Sequence, residues 1–118
     1  PRPPPRPPLF PYTPLFRPDC NRGMVWLQQR APTLGLDEER ILLMGVSGGG
    51  GLAAACSLLA RDRGGPQVRG QLLMYPMLDD RNDTGSAHQM ADVGIWRRQD
   101  NAYAWRQVLG DAAGPDVS

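Results

Sequence analysis

The stretch that most constrains the fold runs from Ile41 to Ala55 and reads ILLMGVSGGGGLAAA. It joins a short apolar run to a serine flanked by glycines, and then to a small-residue segment that can start a helix. Residues 45–49 (GVSGG) fit the G-x-S-x-G pattern, in which a serine occupies a sharp turn between a strand and a helix with its hydroxyl held out of the backbone. The stretch therefore predicts a strand, a serine turn and a helix in direct succession.

The glycines around the serine have separate roles in this pattern. A strained turn brings the residues two before and two after the serine close together, so we expect both Gly45 and Gly49 to need the absence of a side chain. The N–H of Gly48 lies at the positive end of the following helix, where an oxyanion would form. The candidate site thus has Ser47 as nucleophile, Gly48 as oxyanion donor, and Gly45 and Gly49 as support for the turn.

The segments around this turn have the periodicity of an α/β fold. Residues 41–44 are continuously apolar, as expected of a central parallel strand covered on both faces. Apolar residues then recur at helical spacing from Leu52 to about Ala60, and residues 68–78 (VRGQLLMYPML) predict a second buried strand that Pro76 ends. Two strands joined through a helix predict a parallel pair with a right-handed crossover, and hence an α/β arrangement.

Prolines crowd residues 1–18, which predicts an extended polyproline II or disordered segment because proline lacks an N–H donor and fixes φ. Within residues 1–8 the patterns R-x-x-P-x-x-P and P-x-x-P-x-R match ligands of SH3-type grooves, and a semi-rigid linker is the alternative interpretation. We therefore divide the chain into this segment and a partial α/β domain over residues 19–118, in which residues 79–118 are a polar loop and helix after the second strand.

Further elements are predicted on both sides of the serine turn. A helix is expected over Asp19–Arg30 with Asp19 as its N-cap. Residues 31–40 are expected to form a turn in which Leu34 and Leu36 anchor the loop, and Asp37 caps a single helical turn.

After the second strand, a short helical piece is expected near residues 86–92. The last helix is expected over residues 100–109, capped by Asp100 and ended by Gly110.

The cysteines and tryptophans are expected to be structural. Cys20 and Cys56 have neither metal-ligand spacing nor a disulfide framework, so both are predicted to be buried small hydrophobic residues. Trp26, Trp96 and Trp105 are predicted to pack in the core or at its edge, with the alternative that the segment of Trp96 borders an acyl pocket.

Composition excludes several classes of function. The net charge of +1 gives no excess that would attract nucleic acid. All thirteen basic residues are arginine, and the missing lysine excludes a P-loop; a dinucleotide fingerprint fails because no acidic residue follows at the required distance. We expect no metal and no cofactor. No transmembrane stretch or signal peptide is recognisable, so the compartment is left open, with cytoplasmic as the default.

Several blocks of the sequence together are similar to one known family. GVSGGGGLAAACSLLARDRGG, QLLMYPMLDDRNDTGS and NAYAWRQVLGD resemble, in order and spacing, strings of the α/β-hydrolase fold-3 group, the hormone-sensitive-lipase-like esterases. Residues 14–27 and 36–40 also resemble segments of that family. The resemblance covers most of residues 14–111 and implies a partial α/β-hydrolase fold, hydrolysis of a small carboxylic ester, Ser47 as nucleophile and the Gly48 N–H in the oxyanion hole.

The chain also departs from the family pattern. Nothing before Ser47 matches the H-G-G-G that completes the family's oxyanion hole, and Val46 stands where the family usually has an acidic residue. The family's acid and histidine lie downstream of the segment that resembles NAYAWRQVLGD. A whole domain of this kind needs roughly 200–250 residues. We therefore expect an incomplete hydrolase piece that is inactive as given.

The one histidine of the chain is a poor candidate for the catalytic base. The order Ser47, then Asp79 or Asp80, then His88 imitates the Ser…Asp…His order of this fold. Nine residues after Asp79, however, are too short a path to bring a histidine to the serine, so His88 is predicted to be a surface or lid-side residue.

The acidic residues near it, Asp79, Asp80, Asp83 and Asp92, lack EF-hand spacing and predict a solvated loop with caps rather than a metal site.

Two classes of function remain from the sequence. The first is a serine ester hydrolase of the α/β-hydrolase type, present as an incomplete piece. The second is a non-catalytic protein, either a hydrolase remnant or an interaction protein that presents its proline tract to an SH3-type partner.

Overall fold

The computed structural model describes the backbone of residues 16–110 and the side chains of residues 19–110. These residues belong to two compact units, residues 16–78 and residues 79–110. The expectations for residues 1–15, including the SH3-type patterns, and for residues 111–118 lie outside the described residues. In chain order the elements are α1 (Phe16–Leu34), β1 (Ile41–Val46), α2 (Gly48–Arg63), β2 (Val68–Met74), α3 (Gly85–Gln89) and α4 (Arg98–Leu109).

The first unit is built on a parallel pair of strands. β1 and β2 run in register from Ile41 beside Val68 to Val46 beside Met74, with one irregularity between Ile41 and Leu42. The intervening helix α2 makes the crossover that a parallel pair requires. The predicted α/β arrangement with a parallel sheet is confirmed.

The core of this unit lies between the helices and one face of the sheet. α1 packs on α2, and α2 packs on both strands. Met24 of α1 meets Cys56 and Ala60 of α2, and Leu43 and Val68 of the strands pack against this cluster. The buried residues of α2 are all small, which allows the helix to approach the sheet closely.

The opposite face of the sheet is open within the described residues. Partners in a parallel register share a face, so the side chains that alternate with Leu43 point away from the helices. They are large, apolar and between 41% and 71% exposed. The expectation that β1 is covered on both faces is therefore wrong for the described part of the chain, because no element of the first unit packs there. The open face consists of Leu42, Met44, Val46, Leu72 and Met74.

We expect the 118-residue chain, produced alone, to self-associate through this open face. Burying one such side chain contributes about 1.5–3 kcal/mol, and contiguous exposed apolar surface favours association. Sedimentation velocity should show association that rises with concentration and is reduced by Met44→Gln with Leu72→Gln. Leu36→Gln removes an exposed leucine that lies off the sheet and should change nothing. A monomer with a cooperative thermal transition at all concentrations would contradict this prediction.

Helix α1 is longer at both ends than the predicted helix. It begins at Phe16, so residues 16–18 are helical and Asp19 lies in the first turn instead of being the N-cap. A proline is tolerated in this first turn because the N–H groups there have no partner within the helix. The helix ends at Leu34, where Gly35 adopts a φ of +68°.

The turn after α1 also differs from its prediction. The Leu36 N–H donates to the Ala31 carbonyl at 2.8 Å, and this bond closes the helix end. Leu34 and Leu36 are both exposed, so the prediction that they anchor the loop is wrong. The main chain of the closing turn, and not their side chains, fixes the loop.

A hydrogen-bonded turn at Asp37 leads into β1. The Asp37 carboxylate accepts bonds from the Glu39 N–H at 3.0 Å and from Arg40 Nε at 2.6 Å. These two bonds, the backbone one first, hold the pKa of Asp37 below its ordinary value. The segment is a turn without helix, and it fixes the direction in which the chain enters the sheet.

The second strand and the helix before it also differ from prediction in their bounds. α2 begins four residues before Leu52 and runs past Ala60 to Arg63, where Gly64 adopts a φ of +61°. β2 ends at Met74 instead of Leu78. The earlier start of α2 and the earlier end of β2 accompany the close packing of the serine turn against the residues after β2.

In the second unit, a five-residue helix and a longer one are joined through a polar loop. The Thr84 hydroxyl accepts the Ala87 N–H at 3.1 Å and caps α3. The loop before α3 is tied to α4 because Asn82 Nδ2 donates to the Arg98 carbonyl at 2.9 Å and Arg98 Nε donates to the Asn82 carbonyl at 3.1 Å. α3 spans residues 85–89, a shorter piece than the one expected near residues 86–92.

The last helix begins two residues before its predicted start. Asp100 is its third residue, and its carboxylate accepts the Arg97 N–H at 3.0 Å, so Asp100 acts as the reciprocal partner of the cap and not as the N-cap. The side chain and N–H of Arg97 lower the pKa of Asp100. The predicted end of the helix at Gly110, which has a φ of +60°, is confirmed.

Three of the cysteine and tryptophan side chains, which are predicted to be buried or to pack at the edge of the core, are exposed. Cys56 is buried as predicted, but Cys20 is exposed in the first turns of α1. Trp26 follows the buried Met24 by two residues, which places it about 200° around the helix from the core, and it is exposed. Trp96 is also exposed and donates from Nε1 to Asn101 at 3.3 Å. Trp105 is half-buried on α4.

None of the helices formed by residues 16–110 combines the length and apolar character needed to cross a membrane.

Candidate active site

Ser47 stands alone between β1 and α2, in a conformation that side-chain-bearing residues rarely adopt. Its φ is +55° and its ψ is −121°. Such a conformation costs about 1–3 kcal/mol and persists only where the surroundings enforce it. Although serine is a preferred N-cap, the Ser47 side chain makes no capping hydrogen bond to α2. The hydroxyl is therefore not used to stabilise the helix that it precedes.

Both peptide groups of Ser47 are held by hydrogen bonds. The Ser47 N–H donates to the Met74 carbonyl at 3.0 Å. The Ser47 carbonyl accepts the N–H of Gly51 at 3.1 Å and the N–H of Met77 at 3.0 Å. The strained backbone is thus fixed from the helix on one side and from the residues after β2 on the other.

The glycines two residues before and two residues after Ser47 differ in whether they leave room for a side chain. A Cβ on Gly45 would lie 2.1 Å from the Gly49 carbonyl oxygen and 2.3 Å from its carbon, which no side chain can tolerate. A Cβ on Gly49 would meet nothing within 4 Å. The two residues do approach each other, but the backbone of Gly49 occupies the space beside Gly45 while its own Cβ direction is open. The expectation that Gly49 must lack a side chain is therefore wrong.

Two further glycines, Gly50 and Gly51, are the positions after Ser47 that have no room for a side chain. A Cβ on Gly50 would lie 2.9 Å from Cβ of Pro76, and one on Gly51 would lie 2.3 Å from the Met77 carbonyl oxygen. The G-x-S-x-G pattern does not include these residues, although a run of four glycines at a helix start is itself a signal of close backbone approach. The partner of that approach is the segment after β2.

The N-terminus of α2 supplies the electrostatic part of the site. Gly48 is the first residue of α2, where an N–H has no acceptor within the helix, and the helix dipole is positive at this end. A Cβ on Gly48 would be 3.8 Å from Met77 Sδ, which is ordinary van der Waals contact. The arrangement can hold a serine hydroxyl next to one donor directed at developing negative charge.

An apolar cleft of about 290 Å³ lies in the same unit but is separate from the serine. It is bounded by α1, β1 and the first turns of α2. Ser47 is not among the residues that line it, although Gly49 is. Its lining consists of Cys20, Met24, Leu43, Met44, Gly49, Leu52, Ala53 and Cys56.

His88 belongs to the other unit and is paired there. On α3, His88 Nε2 lies 2.8 Å from Asp83 Oδ1, and both side chains are exposed. The hydrogen bond from His88, followed by its charge, lowers the pKa of Asp83. The pair is therefore a surface contact that links α3 to the loop before it.

Stability should depend on this pair at acidic pH. Because the pKa of Asp83 in the folded chain is lowered from its ordinary value of 3.8, the contribution of the pair is present above that value and is lost as the pH falls through the lowered pKa. A titration followed by the carboxyl carbon resonances should show the pKa of Asp83 rising in His88→Ala, while the pKa of Asp37 stays unchanged. An Asp83 curve identical in both proteins would contradict the assigned cause.

The acidic loop does not form a cation site in the described part of the chain. Asp79 is bonded to Arg81, with Arg81 Nε at 2.8 Å from Asp79 Oδ1. Asp80 is only 4% exposed, so the prediction of a solvated loop is wrong at this residue. Among residues 16–110 no group of three or more His, Cys, Asp or Glu side chains is placed to hold a metal ion.

A parallel strand pair joined by a crossover helix, with a strained serine at the strand-to-helix turn, is consistent with the α/β-hydrolase class. The sequence model of the family described as "alpha/beta hydrolase fold" matches residues 8–118, and the chain belongs to this family.

Particular relatives are esterases. The chain is 37% identical to Carboxylesterase NlhH of Mycobacterium tuberculosis over 100 residues, which are 83% of this chain and 31% of that protein. It is 50% identical to Arylesterase of Saccharolobus solfataricus over 44 residues, 37% of this chain and 14% of that protein. The structure of Bacterial Heroin Esterase matches with a TM-score of 0.78 and 39% identity, over 86% of this chain and 33% of that one. The chain thus spans at most about a third of the length of these relatives.

Proposed function

We propose that this chain is the nucleophile-bearing part of a carboxylic-ester hydrolase, with Ser47 as the nucleophile. The observation that carries the proposal is the strained Ser47 backbone between β1 and α2, held by three hydrogen bonds while its side chain caps nothing. Enzymes keep such strain where a reactive group must be presented in one orientation. Gly45 supports this turn by leaving room for the backbone of Gly49.

The reaction proposed for Ser47 is acyl transfer. Its Oγ attacks the carbonyl carbon of the ester, and a general base takes the hydroxyl proton. The Gly48 N–H and the positive end of α2 stabilise the oxyanion that forms. The alcohol leaves with a proton, and water then releases the acid from the acyl-enzyme. The proposed substrate is a small acyl ester, since the similar proteins are named as carboxyl-, aryl- and heroin esterases.

We propose that the base, its orienting acid and the second oxyanion donor are supplied by sequence outside these 118 residues. The chain has one histidine, and it is paired with Asp83 on α3. The similar esterases are about three times as long as the matching segment, since the chain covers 31% and 33% of two of them. The chain alone is accordingly proposed to be inactive, with residues 19–118 as its partial hydrolase domain.

Hydrolysis of p-nitrophenyl butyrate tests this division of roles. The full-length protein that contains this sequence should hydrolyse the ester, and the 118-residue chain alone should give no more than the buffer rate. A full-length protein without esterase activity would contradict the proposed function. Turnover by the 118-residue chain that disappears in Ser47→Ala would instead contradict the assignment of the base to other sequence.

An SH3-type partner for residues 1–8 is a separate proposal about binding. The family match begins at residue 8, so residues 1–7 lie outside it. Capture of the chain by immobilised SH3 domains, lost when Arg2 and Arg6 are both replaced by alanine, would support this interaction. Equal capture of both proteins would contradict it. Nothing in the charge balance favours a nucleic-acid partner.

A further inference from the structure

We propose that the turn Met74–Met77, which follows β2, is the element that positions the Ser47 hydroxyl, and that Tyr75 is its positioning residue. This inference rests on the proposed function, in which Ser47 is the nucleophile. It makes the catalytic geometry depend on residues outside the G-x-S-x-G pattern. We name the turn Met74–Met77 the clamp turn.

The clamp turn holds both peptide groups of one residue. Its first residue accepts the Ser47 N–H, with a distance of 3.0 Å to the Met74 carbonyl oxygen. Its last residue donates to the Ser47 carbonyl, with the Met77 nitrogen at 3.0 Å. The clamp turn thus continues the pairing of the two strands past the end of β1, at a residue that has left the extended conformation.

The interior of the clamp turn is packed against the helix start. Pro76 fills the space that a side chain on Gly50 would need, because a Cβ there would lie 2.9 Å from Pro76 Cβ. The Met77 carbonyl oxygen likewise lies only 2.3 Å from the position of a Cβ on Gly51. These contacts leave no space for the clamp turn to shift toward α2. Any change in its shape must therefore move the Ser47 backbone or break the bonds to it.

The shape of the clamp turn depends on Tyr75. Its φ is +35°, although it carries a side chain and precedes a proline, and residues before proline normally adopt an extended backbone. The side chain of Tyr75 is 72% exposed, so packing of the ring does not explain the conformation. The reversal at Tyr75 lets Met74 and Met77 reach the two sides of the same serine. The backbone of Tyr75, and not its ring, is the functional feature.

Positioning of this kind is worth a large factor in rate. A displacement of about 1 Å of a reacting group costs on the order of 100-fold. If the clamp turn opens, Ser47 Oγ moves relative to the Gly48 N–H, which remains fixed in α2. The loss should fall on kcat, while KM stays nearly constant because no group that contacts the substrate is removed.

Matched substitutions of Tyr75 in the full-length protein separate backbone shape from the ring. Tyr75→Gly and Tyr75→Val both remove the ring, but only glycine adopts positive φ readily. The rate of Ser47 labelling by a fluorophosphonate and kcat for p-nitrophenyl butyrate should stay within about threefold of wild type in Tyr75→Gly. Both should fall by about 10- to 100-fold in Tyr75→Val, with KM unchanged.

The outcomes distinguish the two proposals. Wild-type protein that is not labelled contradicts the proposed function itself. Labelled wild type with equal rates in Tyr75→Gly and Tyr75→Val overturns the role of the clamp turn. Rates are expressed per folded molecule from circular dichroism. If Tyr75→Val does not fold, Tyr75→Ala decides: a rate between those of wild type and inactive protein supports the inference, and a rate equal to that of Tyr75→Gly overturns it.

Discussion

Replacing Gly45 with alanine is expected to disrupt the serine turn, whereas the same replacement at Gly49 is expected to be tolerated. The added methyl group at Gly45 would lie 2.1 Å from a backbone oxygen, which cannot rotate away, and the space at Gly49 is open. Overpacking in a close-packed site typically costs about 1–3 kcal/mol. Alanine at Gly49 improves helix propensity, by up to about 1 kcal/mol.

Thermal unfolding and fluorophosphonate labelling of the full-length protein measure this contrast. Gly45→Ala should lower the melting temperature and reduce the labelling rate by on the order of 100-fold, because the serine is displaced. Gly49→Ala should keep both near wild type. Equal losses in the two variants would contradict the claim that only Gly45, and not Gly49, lacks room for a side chain. Gly51→Ala, whose methyl group would lie 2.3 Å from the Met77 oxygen, should resemble Gly45→Ala.

The local order of elements was predictable because one short pattern specifies it. An apolar run, a serine between glycines and a small-residue helix start admit few arrangements, and the strand, turn and helix follow at Ile41–Val46, Ser47 and Gly48–Arg63. The approach of residues 45 and 49 also followed from the pattern. Its asymmetry did not, because the direction of a missing Cβ depends on helix geometry that spacing alone does not specify.

Features set by distant contacts were not predictable. The positive φ of Tyr75 occurs in a turn whose two ends, Met74 and Met77, are hydrogen-bonded to Ser47, which is 28 positions before Tyr75 in the chain. A local reading of Tyr-Pro after a strand predicts extended backbone. The prediction that β1 is covered on both faces is wrong for a related reason. Its composition is that of a strand covered on both faces, but the described residues cover only one face of the sheet.

The bounds of α1 show how a local rule can be applied too widely. The proline content of residues 1–18 predicts a segment without helix, yet a proline in the first turn loses no hydrogen bond, and the helix begins at Phe16. Asp19 and Asp100 both favour a helix start, but each lies inside the first turn instead of at the cap. Such residues predict that a helix begins nearby and do not fix its first residue.

Replacing Ser47 with alanine is expected to have the largest effect on catalysis. Removal of the nucleophile from a serine hydrolase reduces kcat by on the order of 10⁶-fold, and the other groups then give only residual catalysis. Ser57→Ala is the matched control on α2, the helix that follows Ser47, because the Ser57 hydroxyl donates to the Ala53 carbonyl at 3.0 Å and is not presented as a nucleophile. It should retain full activity.

Localisation of a fluorophosphonate adduct by tandem mass spectrometry tests the assignment of Ser47 most directly. Cleavage after arginine releases residues 41–61 as one peptide that contains both Ser47 and Ser57. In the full-length protein we predict one adduct, on Ser47, which is absent from Ser47→Ala and unchanged in Ser57→Ala. An unmodified peptide, or an adduct on this peptide that persists in Ser47→Ala, would contradict the assignment of Ser47 as the nucleophile.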